Sequence, residues 1–585
     1  MYKRTKIYKI IALALTSVVF MGCGTNTAGN KQSKLQGENM VSENKAVTNL
    51  SQVDMTKWQY NADDNVYYQI GIQYCETPAD LEYETLSIFV PGDYMSAKDN
   101  GDGTFTCELS KSAIVGGYTA ETAPMVIPVE TPGYSACKAL TEYTDVTQYT
   151  NAGFVYVHAG CRGRDQGAPT GVTDLKAAIR YIRYNSGVIA GNTDRIFPFG
   201  MSGGGAQSAL LGATGDSEMY DSYLEAIGAV QGVSDAVAGS MCWCPITTLE
   251  AADSAYEWSM GTTRNNLSAE EQKLSDDLTT SFADYINNLG IKDEKGNVLK
   301  LEQSDDGRYQ SGSYYDYVKT VVENSLNNFL KDTTFPYDSD AVSKKGGMMG
   351  GHGGGMRGGN IPEELPIEAR DNISRMGASG AVQISGTYET AQDYINALNG
   401  SFEWVSYDAS TNKVTISNLT DFAKAVKPSS KGMAAFDQLD GGQGENTLFG
   451  YNDGKGAHFD STMEQLLQGT EYEEAFKEDL ARKDSEGNEV QYRLNMYSPL
   501  YFLMQSSKGY NTSNVAKYWR IRTGAWQSDT SLTTEINLAL ALENYEGVKD
   551  VDFETVWGQK HTEAERTGDS KENFINWVNE CLSES

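Results

Sequence analysis

The chain of 585 residues is predicted to be an α/β protein, a doubly wound and mostly parallel sheet interrupted by one large insertion. Three observations lead there. From Gly153 the sequence alternates strand-like and helix-like stretches. The segment 195–207, RIFPFGMSGGGAQ, runs a short apolar stretch straight into Gly200-Met201-Ser202-Gly203-Gly204. After a long polar and acidic region, the same alternation returns near Arg493.

The elements follow in order. Residues 65–75, 84–90 and 124–130 are aromatic or β-branched runs bounded by Gly, Pro and Asp, as strands are. Asp99-Asn100-Gly101-Asp102-Gly103 lacks the alternating spacing of a calcium loop and is expected to be a hairpin turn. Residues 154–158 form a continuous apolar strand. Thr173 or Asp174 caps a helix with Leu175, Ile179 and Ile182 on one face. Residues 196–199 form the next strand, although Pro198 removes one ladder donor. A helix then passes through Ala206, Leu210 and Leu211. Beyond Ala251 come helical segments at 268–289 and 314–330, and a Gly- and Met-rich run at 344–359 that is read as a surface loop rather than a metal site at His352. Strands at 516–523 and 551–557 alternate with helices at 532–543 and 572–582. The expected organisation is therefore a core at 53–250 and 493–585, with 251–492 inserted as a lid over the strand ends, where ligands of such sheets bind.

The N-terminus is a targeting signal. Lys3, Arg4, Lys6 and Lys9 precede an apolar stretch at 10–21 that is too short to span a membrane and ends in Gly22-Cys23. Residues 1–22 are expected to be a bacterial lipoprotein signal peptide, Cys23 the lipidated residue and 23–52 a flexible tether. This implies the outer face of the cell membrane, or secretion. The formal net charge of −32 makes nucleic acid a poor partner, and membrane contact is expected only through the lipid. Seven cysteines besides Cys23 are scattered and do not form a disulfide pattern; Cys242 and Cys244 are expected to pack in the core.

The chemistry centres on Ser202. The pattern G-x-S-x-G places a serine on a sharp strand-to-helix turn with its hydroxyl exposed above the sheet. A serine needs an imidazole to take its proton, and the imidazole needs a carboxylate to orient it. Of the four histidines, His158 precedes the serine, and His352 and His458 lie in the insertion. His561, in the loop after the last strand, is the expected base. Asp529, after the preceding strand, is the candidate acid, although it also stands where a helix N-cap would. The backbone N–H of Gly203 is the expected oxyanion donor, with a second from the loop 131–135. A serine mechanism needs no metal or cofactor.

Four segments stand out: Val157-His158-Ala159-Gly160-Cys161-Arg162-Gly163-Arg164, the turn with Ala209-Leu210-Leu211-Gly212-Ala213, Cys242-Trp243-Cys244-Pro245-Ile246-Thr247, and Ala255-Tyr256-Glu257-Trp258. Together they resemble the bacterial tannases, α/β-hydrolases related to feruloyl esterases. The resemblance implies an α/β-hydrolase fold and hydrolysis of gallate-type phenolic esters, with Lys431 and Glu445 of the lid contacting the ring hydroxyls. It also implies two acidic residues in the turn after the penultimate strand, where this chain has Gln527 and a single Asp529. Asp529 is then either the acid partner of His561 or a ring contact. A feruloyl or acetyl esterase of plant cell-wall polysaccharide, and a binding lipoprotein whose chemistry has lapsed, are the alternative readings.

Overall fold

The computed structural model describes residues 46–340 and 380–583. The signal peptide, Cys23, most of the tether and the 344–359 run with His352 lie outside the described residues. The described residues form one compact unit. The folded part begins earlier than the expected boundary at 52. Val47 exchanges backbone hydrogen bonds with Gln231, and the Asn49 N–H is taken by Glu76. Polar residues join the fold here because their backbone groups find partners.

A nine-stranded sheet organises the molecule: β1 (Gln59–Asn61), β2 (Val66–Gln73), β3 (Thr85–Pro91), β4 (Met125–Val129), β5 (Val155–Ala159), β6 (Ile196–Met201), β7 (Gly239–Trp243), β8 (Tyr518–Gly524) and β9 (Asp550–Val556). Their spatial order is β1-β2-β3-β5-β4-β6-β7-β8-β9. The pairs β1/β2, β2/β3 and β3/β5 are antiparallel, and every later pair is parallel. This is an α/β-hydrolase fold, as the sequence predicts. The central strands β3, β4, β5 and β7 are buried at every position, which accounts for their continuous apolar runs without alternation. Pro198 is tolerated because the ladder from β6 to β7 begins only at Phe199. The turn at Asp99–Gly103 joins an antiparallel hairpin of Met95–Asp99 and Phe105–Leu109, as expected. Strand β7 escaped the sequence reading: GSMCW is short, starts with glycine and carries no alternation.

Helices cover the sheet. Helix α1 (Thr170–Tyr184) buries Leu175, Ile179 and Ile182, but also Asp174, Lys176 and Arg180. Those charges are paired: Arg162 with Asp174 at 2.7 Å, and Lys176 and Arg180 with Asp235 at 2.7 and 2.8 Å. Buried ion pairs of this kind fix loop positions rather than add net stability. Helix α2 (Gly203–Ala213) is buried throughout, and α3 (Thr533–Glu543) and α4 (Ser570–Ser583) follow β8 and β9. Strands β7 and β8 are neighbours, so everything between Trp243 and Tyr518 is inserted at one point of the sheet. The insertion carries helices Ala269–Leu289 and Ser313–Asp332 and shares one continuous hydrophobic core with the sheet. Among the described residues, no helix is long and apolar enough to cross a membrane.

Candidate active site

Ser202 ends β6 and precedes α2 with φ 60° and ψ −124°, a left-handed conformation that costs about 1–3 kcal/mol. The surroundings hold it there. Its N–H donates to the Trp243 carbonyl at 2.9 Å, and its own carbonyl accepts from Ala206 at 2.9 Å. Glycine is required at both positions that follow the serine. A Cβ on Gly203 would stand 2.4 Å from the Tyr134 nitrogen, and one on Gly204 would stand 2.0 Å from the Val129 carbonyl oxygen. The loop 131–135 therefore packs directly on the turn. The Gly133 nitrogen lies 3.0 Å from that same Gly203 Cβ position, beside the expected oxyanion donor Gly203.

His561 meets Ser202: the serine hydroxyl and the imidazole Nε2 are 2.8 Å apart, and both residues are buried. The loop carrying His561 is anchored to the sheet. Glu565 accepts from the Trp243 indole at 3.0 Å and from Arg520 at 2.6 and 2.8 Å, while the Cys244 thiol donates to the Thr562 carbonyl at 3.2 Å. Burial lowers the His561 pKa, and Lys431 and Lys427 reinforce this against the opposing Asp529. The ring is held neutral, as a base must be. His158 instead bonds the Lys138 carbonyl at 3.0 Å, and His458 bonds Asp437 at 2.7 Å.

Asp529 does not stand where an orienting acid would. Its carboxylate is 4.0 Å from Nε2, the nitrogen that faces Ser202, whereas Nδ1 has no hydrogen-bond partner among the described residues. The cause is local. The Gln527 side-chain oxygen accepts from the Asp529 and Thr530 N–H groups at 3.0 and 2.9 Å, so the turn closes on Gln527 and directs Asp529 toward the insertion. There it lies 3.3 Å from the Lys431 ammonium. Of the two roles open to Asp529, this geometry does not fit the orienting acid.

Lys431 and Glu445, expected from the resemblance, are both buried and electrostatically coupled to Asp529. Burial pulls the Lys431 ammonium down, but Asp529 and Glu445 outweigh it, and its pKa is raised overall. Burial pushes Asp529 up, but Lys431 and His561 outweigh that, and its pKa is lowered. Glu445 is raised, chiefly by burial. The result beside Ser202 is a fixed cation between two carboxyl groups, with the ammonium also over the Phe436 ring at 3.8 Å. The lysine backbone is fixed by Tyr256, whose hydroxyl accepts from Ser430 and Lys431 N–H at 2.9 and 3.0 Å and donates to the Ser528 carbonyl at 3.1 Å. Arg264 adds a bond to the Lys431 carbonyl at 2.6 Å. The role of Tyr256 was hidden inside the AYEW segment, and nothing in the sequence marks Arg264. Among the described residues no group of side chains is arranged to hold a metal ion.

Residues 118–286, which include the turn, match the family model BD-FAE. With the fold, this makes the chain a carboxylic ester hydrolase of the α/β-hydrolase class. Several solved structures that it resembles are tannases. Tannin acyl hydrolase from Lactobacillus plantarum is 26% identical with a TM-score of 0.64, over 91% of this chain and 98% of that one. Fusobacterium nucleatum tannase is 27% identical with a TM-score of 0.61, over 88% and 95%. A tannin acyl hydrolase in complex with ethyl gallate is 27% identical with a TM-score of 0.61, over 88% and 94%. No curated protein matches.

Proposed function

We propose that this is a serine esterase of gallate-type phenolic esters, carried to the outer face of the cell by a lipid on Cys23. One observation carries the reading: the 2.8 Å contact between Ser202 and His561 opens onto Lys431, Glu445 and Asp529, a polar set suited to adjacent phenolic hydroxyls. The similar tannin acyl hydrolase bound to ethyl gallate supports the same substrate class.

In this mechanism the Ser202 oxygen attacks the ester carbonyl carbon while His561 Nε2 takes the hydroxyl proton. The oxyanion is held by the Gly203 N–H and a donor of the 131–135 loop. Collapse breaks the bond to the leaving alcohol, which receives the proton from His561. Water, deprotonated by the same nitrogen, then releases the acid and restores Ser202. Lys431 donates to a phenolic oxygen, and the Asp529 and Glu445 carboxyl groups accept from the hydroxyls.

The test is hydrolysis of methyl gallate, methyl ferulate and a simple acetate ester by the chain and by its Ser202→Ala variant. Preference for gallate, abolished by the substitution, is expected. Preference for ferulate or acetate would replace the gallate assignment, and activity retained without Ser202 would overturn the mechanism.

A further inference from the structure

Among the buried polar atoms that lack partners within the described residues are His561 Nδ1 and Glu535 Oε2. The first matters because an imidazole that accepts the serine proton becomes a cation with a second N–H, and a buried N–H without an acceptor is costly.

Glu535 sits fully buried in the first turn of α3, where the helix dipole favours a carboxylate. Its other oxygen accepts from the Thr523 hydroxyl at 3.1 Å. That hydroxyl is also 3.8 Å from the Cys244 sulfur, which in turn bonds the carbonyl of Thr562, next to His561. From the opposite side the buried Lys427 ammonium donates to the Gln527 and Thr530 carbonyls, and its charge acts on both Glu535 and His561. Glu535 and the His561 loop are thus linked through Thr523 and Cys244, and both residues feel the charge of Lys427. The other acidic candidate is on the wrong side, since Asp529 faces Nε2. The Gln527 carboxamide is occupied within its own turn.

Resting on the serine-esterase reading, we propose that Glu535 is the positioning carboxyl of His561, turning its unbound oxygen to Nδ1, directly or through one solvent molecule, as the imidazolium forms. Thr523 holds only one oxygen, and the terminal carboxyl torsion of a glutamate is soft. Burial raises the Glu535 pKa and lowers that of Lys427, so both respond to a charge forming nearby.

The test uses the full chain, a fluorophosphonate probe and methyl gallate, with Glu535→Gln, Glu535→Asp and Asp529→Asn. Glu535→Gln is expected to lower kcat by about 100-fold or more with KM nearly unchanged. Glu535→Asp should recover part of the rate, and Asp529→Asn should chiefly raise KM. In the labelled wild-type protein, a far-downfield Nδ1 proton resonance is expected, and it should vanish in Glu535→Gln. Unchanged kcat in Glu535→Gln overturns the proposal. So does absence of the resonance from labelled wild type, which requires no variant to fold. Failure of Ser202 to label at all would instead overturn the serine-esterase reading.

Discussion

The Lys431 ammonium lies 3.3 Å from the Asp529 carboxylate, so a residue of the insertion and a residue of the β8–α3 loop meet beside the serine. The pair is largely shielded from water, with side-chain exposures of 8% and 17%, and this makes it stronger and more directional than a surface ion pair.

Lys431→Met should therefore discriminate by substrate. Loss of a charge-assisted hydrogen bond is worth about 1.5–3 kcal/mol, so kcat/KM for methyl gallate should fall roughly ten- to hundredfold. Methyl benzoate, which has no ring hydroxyls, should change far less. Steady-state kinetics on both esters decide the matter, and equal losses would contradict the assignment.

Activity should persist to unusually low pH. The lowered pKa of His561 keeps the imidazole neutral below the ordinary histidine value of about 6.5. The acid limb of kcat/KM should have its midpoint below that value. Stability carries the same sign: the unfolded chain binds the proton more readily, so this contribution is present above about pH 6.5 and is lost as the pH falls toward the folded pKa. A midpoint above 6.5 in the rate profile would contradict the burial argument.

Tyr256→Phe should weaken recognition without touching the nucleophile. The hydroxyl satisfies three backbone groups, at Ser430, Lys431 and Ser528. Its removal should cost about 1–3 kcal/mol by thermal or denaturant unfolding and raise KM for gallate esters. Probe labelling of Ser202 should stay near the wild-type rate.

Gly203→Ala should be inactive for a different reason. The new methyl would lie 2.4 Å from the Tyr134 nitrogen and 2.5 Å from the Thr131 carbonyl oxygen, so the loop on the far side of the nucleophile must move. A kcat loss with Ser202 and His561 unchanged would be visible in hydrolysis assays, and wild-type kcat would exclude an oxyanion role for this loop.

Much of the scaffold was legible from chain order. Parallel strands announce themselves as apolar runs followed by amphipathic helices, and the glycines around Ser202 reflect backbone contacts that no side chain would allow. His561 followed from its place after the last strand, and the structure puts it against Ser202. The orientation of Asp529 was not legible, because it depends on whether Gln527 turns inward, which the hydrogen bonds of the loop 525–532 decide. Glu535 and Lys427 were equally silent: a glutamate in a first helical turn and a lysine after a lid helix read as solvated charges, and only tertiary packing buries them.

The sheet opens at one point, between β7 and β8, to admit the whole insertion. Ser202, Gly203 and His561 stand at the ends of the sheet's own strands, whereas Lys431 and Glu445 belong to the inserted chain. Substitutions in the insertion can therefore change one set without displacing the other, and Asp529 is where the two meet, since it sits on a loop of the sheet and pairs with a cation of the insertion.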